Sequence, residues 1–118
     1  MIDDMQPHGF TYGNVGMAWG YRLLSPERPF AEGSDWGDND WDKAIIMMTD
    51  GNNTMESTYS TYWATAKHNI NVSDLNERFA ETCDALKEQD VIIYTVTFTS
   101  SISDSTKQYY EDCATSPA

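Results

Sequence analysis

The stretch 91–98, VIIYTVTF, is β-branched and aromatic throughout, and the stretch 43–49, KAIIMMT, is a compact apolar run that breaks at Asp50-Gly51-Asn52-Asn53-Thr54. Both read as buried, central strands, the one at 43–49 ended by turn residues. Between them, 74–89 places Leu75, Phe79, Cys83 and Leu86 on one helical face and sets Asp74 three residues before Glu77, a capping-box spacing. A strand, a helix and a strand with no hairpin turn between the strands predict a right-handed parallel crossover, hence an α/β fold.

Working outward, 11–24 has Val15, Trp19 and Leu23 at steps of four before Ser25-Pro26, which predicts a short helix. Its Gly13, Gly16 and Gly20 weaken that helix and suggest that another backbone approaches it closely. From Pro26 to Asp42 the chain turns to Pro, Gly, Asp and Trp without periodicity, a loop. A last helix is expected from about Asp104 to Cys113. Two strands leave both sheet edges open and enclose no core, so further strands are missing or are supplied by a partner.

With 118 residues the chain fits one domain or part of one. Seven basic against nineteen acidic side chains leave a net charge of −12, which repels phosphate backbones and anionic lipid, so nucleic-acid and membrane-surface binding drop out. A hydrophobic fraction of 40% is too high for a disordered acidic tail. The longest apolar runs fall far short of the roughly 18 residues a membrane span needs, so no direct membrane contact is expected. The N-terminus carries no secretory signal, and export would need one outside this sequence. Cys83 and Cys113 are too few for a structural zinc site and are either free thiols or one disulfide.

In open α/β sheets ligands meet the carboxyl ends of the strands, where Asp50 is expected. An aspartate there can accept from metal-bound water or hold a hard cation. Asp-Gly is also a common turn pair, and the local pattern by itself favours that plainer role. Asp38, Asp40 and Asp42 alternate like the first half of a calcium loop, but Lys43 stands where the sharp turn needs Gly and Thr49 where the bidentate Glu belongs, so a solvated acidic loop is expected. Asn52-Asn53-Thr54 and Asn71-Val72-Ser73 match a glycosylation sequon too short to carry weight. There is no nucleophile elbow, phosphate loop or His-Glu-x-x-His pair. His8 and His68 read as surface histidines, and Trp19, Trp36, Trp41 and Trp63 as packing residues.

Several stretches nonetheless stand in the order of a known family. Gly9-Phe10-Thr11, then 16–26 (GMAWGYRLLSP), Pro29-Phe30, 48–54 (MTDGNNT), Tyr59-Ser60-Thr61-Tyr62, Cys83, Lys87, 93–98 (IYTVTF) and Cys113-Ala114 resemble the TadG-like pilus-assembly proteins that carry a von Willebrand factor type A domain. The resemblance covers roughly residues 5 to 115. It implies a Rossmann-like, doubly wound parallel sheet with flanking helices and a metal-ion-dependent adhesion site at the strand carboxyl ends. Such a site takes an Asp-x-Ser-x-Ser loop, one Thr and one Asp, and leaves a position for an acidic group of a protein partner. By motif, Thr11 corresponds to the Thr and Asp50 to the Asp.

No Asp-x-Ser-x-Ser occurs in this chain. Residues 1–118 are therefore expected to be a partial domain lacking the first strands, that loop, and the last strand and helix. Oxygen ligation implies magnesium, bound weakly or not at all by two donors alone. The resemblance further implies that Cys83 and Cys113 pair, and that the chain is a non-enzymatic adhesion module working with pilus-assembly components. Its expected place is the periplasm or cell surface, where the full-length family is anchored by a segment absent here. The rivals are a fragment of a metal-dependent phosphohydrolase, since an Asp at a parallel strand end also suits that chemistry, and a decayed fragment without independent function.

Overall fold

The computed structural model describes residues 10–55, 71–98 and 101–116. The chain forms α1 (Gly13–Leu24), β1 (Ala44–Thr49), α2 (Val72–Lys87), β2 (Ile92–Thr97) and α3 (Asp104–Cys113). β1 and β2 pair in parallel, in register from Ala44 opposite Ile92 to Thr49 opposite Thr97. The described residues are thus a mixed α/β unit with a two-stranded parallel sheet and three helices.

α2 begins before the expected Asp74. Asn71 is the N-cap: its side-chain oxygen accepts from the Ser73 and Asp74 amides (2.7 and 3.2 Å), and Asp74 Oδ2 accepts from the Asn71 amide (2.6 Å). Asp74 is therefore the third helical residue of a reciprocal box, not its start, because the box at Asn71 closes a turn earlier. At the other end Asp90 adopts a left-handed conformation (φ 56°), which Asp tolerates, and the Val91 amide returns to Leu86 O (3.1 Å). That reversal feeds the chain directly into β2, whose first amide, on Ile92, donates to Lys43 O (2.9 Å).

Leu75, Phe79, Cys83 and Leu86 form the buried face of α2, as their spacing predicts. Phe79, Cys83 and Leu86 join Met17, Val91, Ile93, Tyr110 and Cys113 in one core cluster. The Phe79 and Tyr110 rings lie 4.8 Å apart, and Cys83 is disulfide-bonded to Cys113, tying α2 to the end of α3.

α1 forms where the spacing of Val15, Trp19 and Leu23 predicts a helix, but those three are exposed, and α1 turns Gly13 and Met17 inward, with Tyr21 and Leu24 packed against the core. The glycines explain the choice, since their side of the helix lies against protruding side chains. A Cβ on Gly20 would come within 3.1 Å of Ile45 Cδ1, and one on Gly16 within 3.5 Å of Met47 Cε. What approaches α1 closely is thus a set of side chains rather than a backbone.

The strands, expected to be buried on both faces, are buried on one. Ile45, Met47 and Ile93 face the helices, whereas Ile46 is 68% and Phe98 60% exposed, with Met48, Tyr94 and Val96 exposed beside them. α1 packs on β1 and α2, and α2 and α3 pack on β2 and on each other, so all three helices serve the same face.

Candidate functional site at the carboxyl end of the sheet

β1 ends in a buried threonine. The Thr49 hydroxyl donates to Gly51 O (2.9 Å) and accepts from the Gly51 amide (3.3 Å), a side-chain turn that bends the chain sharply and carries Asp50 into an exposed position. The chain then runs back along the start of α1. The Thr11 amide donates to Thr54 Oγ1 (3.0 Å) and the Thr54 amide to Thr11 O (3.0 Å). A Cβ on Gly51 would lie 3.7 Å from Thr11 Oγ1. The Thr11 loop and the turn bearing Asp50 are therefore joined at one end of the sheet.

Asn53 holds this end together. The N-cap of α1 is Tyr12, whose side chain makes no capping bond, so the helix needs an acceptor from elsewhere. Asn53, only 8% exposed, supplies it: its Oδ1 accepts from the Gly13 amide (2.8 Å) and its Nδ2 donates to Asn76 Oδ1 on α2 (2.7 Å). The neighbouring Asn52 Oδ1 accepts from the amide of Ser103, the N-cap of α3 (2.9 Å). One five-residue turn thus connects to the first turns of α1 and α3 and, through Asn76, to α2. The starts of α1 and α3 are thus tied to the turn that follows Asp50.

Tyr110 closes the floor of this region. Burial pushes its hydroxyl above the ordinary tyrosine range, and the Thr49 hydroxyl beside it offsets part of the rise, although the Thr49 proton is directed at Gly51 O. Among the described residues the Tyr110 oxygen has no hydrogen-bond partner of good geometry. It would lie 2.8 Å from a Cβ on Gly13, so only glycine lets α1 settle here.

The donors at this end, the Thr11 hydroxyl and the Asp50 carboxylate, are hard oxygens of the type magnesium takes, but they are two where a site with few waters needs more. Among the described residues no group of three or more His, Cys, Asp or Glu side chains is placed to hold a metal ion. The acidic loop is organised differently from a calcium site: Asp38 Oδ1 accepts from the Asp40 amide (3.0 Å), and Asp38, Asp40 and Asp42 are exposed. Its anchor is Lys43, whose amine donates to Leu24 O (2.7 Å) and to Ser34 O and lies 4.0 Å from the centre of the Trp36 ring. A groove of about 350 Å³ between α1 and α2, lined by residues such as Ala18, Arg22, Glu81 and Ala85, lies toward the opposite end of these helices.

Asn52 and Asn71, the acceptor positions of the two sequons, both use their amide oxygens to cap or brace helix starts. His8, His68, Trp63 and the Tyr59–Tyr62 run lie outside the described residues. Sequence reasoning did not single out Asn53, Asn76 or Tyr110 as site residues. For Asn53 a signal was present: a helix start at Gly13 preceded by Tyr12 has no capping side chain of its own, so a distant acceptor was required.

No protein-family model, curated protein or solved structure matches this chain.

Proposed function

We propose that the chain is a non-enzymatic binding module of the von Willebrand factor A type, belonging to a TadG-like surface pilus-assembly protein. In this reading Thr11 and Asp50 are two oxygen donors for a magnesium ion, an Asp-x-Ser-x-Ser loop completes the site, and the open position is taken by an acidic group of a protein partner. The observation that carries it is the meeting of the Thr11 loop with the turn after β1, in the order of motifs that the resemblance requires. The Cys83–Cys113 disulfide agrees with an oxidising, extracytoplasmic location such as the periplasm or cell surface. Among the described residues no helix is long and apolar enough to cross a membrane.

Calorimetric titration with magnesium tests the proposal on two proteins: the 118-residue chain, and the same chain joined upstream to a strand ending in Asp-x-Ser-x-Ser. The expected result is no resolvable heat from the first and saturable binding by the second, lost on Asp50→Ala. Tight binding by the shorter chain, also lost on Asp50→Ala, would show that other oxygens complete the site. Failure of the longer protein would remove the metal-dependent role.

A further inference from the structure

Asp50 is followed by Gly51, and every other aspartate in the chain is followed by a residue with a side chain. No asparagine precedes a glycine. A backbone amide nitrogen can close on the carboxyl carbon of the aspartate before it, and glycine leaves that approach unobstructed. The structure sharpens the distinction. Asp74, Asp84 and Asp112 lie within α2 and α3, where the next amide is held in the helix, that of Leu75 by Asn71 O (3.3 Å). After Asp90 comes β-branched Val91, whose amide is committed to Leu86 O (3.1 Å). The aspartates of the acidic loop precede Trp36, Asn39, Trp41 and Lys43. Among the described residues the Gly51 amide, by contrast, is held by a long bond to Thr49 Oγ1 (3.3 Å), and Asp50 is exposed.

We infer that Asp50-Gly51 is the position at which this protein isomerises with age, through a succinimide, to isoaspartate. The Gly51 nitrogen attacks Asp50 Cγ. A C–N bond forms, the bond from Cγ to the hydroxyl of the protonated carboxyl breaks, and that hydroxyl leaves with the amide proton as water. Thr49 Oγ1 already accepts a hydrogen bond from this amide and directs its own proton at Gly51 O, so it is placed to draw the amide proton off. Water then opens the ring at either carbonyl. Opening at Cγ restores aspartate, whereas opening at the main-chain carbonyl leaves the chain running through Cγ and the carboxylate directly on Cα. The backbone grows by one carbon, and the charge moves away from the place it holds after β1. Water is the only co-reactant, and the step needs neither a metal nor the reading of this end as an adhesion site.

Ageing the folded 118-residue chain at neutral pH and physiological temperature tests the inference, read by enzymatic methylation of isoaspartate and by peptide mapping. Isoaspartate should accumulate at Asp50 faster than at all other aspartates together. Gly51→Ala should slow it roughly fivefold or more, and the added Cβ fits, since its nearest neighbour, Thr11 Oγ1, lies 3.7 Å away. Circular dichroism of the variant should match the parent, which separates the slowing from any change of fold. The same ageing in urea separates the dipeptide from the folded turn. Isoaspartate at Asp50 in urea but not in the folded chain would overturn the inference, because the turn at Thr49 would then hold the amide too firmly to react. Formation at several aspartates alike, or an unchanged rate in Gly51→Ala, would overturn it as well.

Discussion

Replacing Asn53 with alanine should be among the most damaging single changes at the carboxyl end of the sheet. The substitution removes the acceptor of the Gly13 amide and the donor to Asn76 Oδ1 in one step. Loss of a helix-capping acceptor costs about 1 kcal/mol, with about 2 as the upper end, and Gly13 is buried, so water has little access to the freed amide. Loss of the second bond at half-buried Asn76 adds about 1 kcal/mol. The sum is about 2–3 kcal/mol, measurable as a fall in urea midpoint followed by circular dichroism without reductant. Asn76→Ala alone should cost about 1 kcal/mol, and the double variant should fall short of the sum of the singles by a similar amount, because both remove the same bond. A loss below about 0.5 kcal/mol for Asn53→Ala, or strict additivity, would refute the claim that this residue joins α1 to α2.

Replacing both Cys83 and Cys113 with alanine should lower stability by about 3.6 kcal/mol in the chain-entropy model for a separation of 30 residues, and reductant should shift the urea midpoint of the parent but not of the variant. Tyr110→Phe should leave stability at neutral pH unchanged within about 0.5 kcal/mol, because among the described residues the hydroxyl it removes has no partner of good geometry. Burial raises the folded-state value above 10.0, so the Tyr110 contribution is fully present below the unfolded value and is lost as pH rises through the folded one. The parent should therefore lose stability in alkali more steeply than Tyr110→Phe, and parallel pH profiles for the two proteins would count against a buried hydroxyl.

The readings that succeeded rest on patterns the chain carries locally. Leu75, Phe79, Cys83 and Leu86 recur at helical spacing, and a helix that buries one stripe must bury those residues wherever it docks. α3 spans Asp104–Cys113 as expected, and the structure shows Ser103 capping it, its Oγ accepting from the Thr106 amide. The start of α2 was misplaced because Asp74 fits two boxes, one with Glu77 and one with Asn71, and spacing cannot rank them. α1 was harder, since its apolar residues lie on more than one side. Val15, Trp19 and Leu23 make the more conspicuous stripe, while the stripe that packs contains glycines.

By itself the sequence determined that this is an acidic α/β chain with a helix between two parallel strands, and that Asp50 stands at the end of the first. These follow from periodicity, turn chemistry and the sum of charges, all of which act within a few residues or over the chain as a whole. Only the tertiary structure decided which side of α1 faces inward, that the described helices all pack on one face of the sheet, and that the cap of α1 comes from Asn53. That bond spans 40 residues, and the inward side of α1 is selected by Ile45, Met47 and Tyr110, which stand far along the chain. Such choices depend on how protruding side chains meet recessed glycines in three dimensions, and no local spacing specifies that fit.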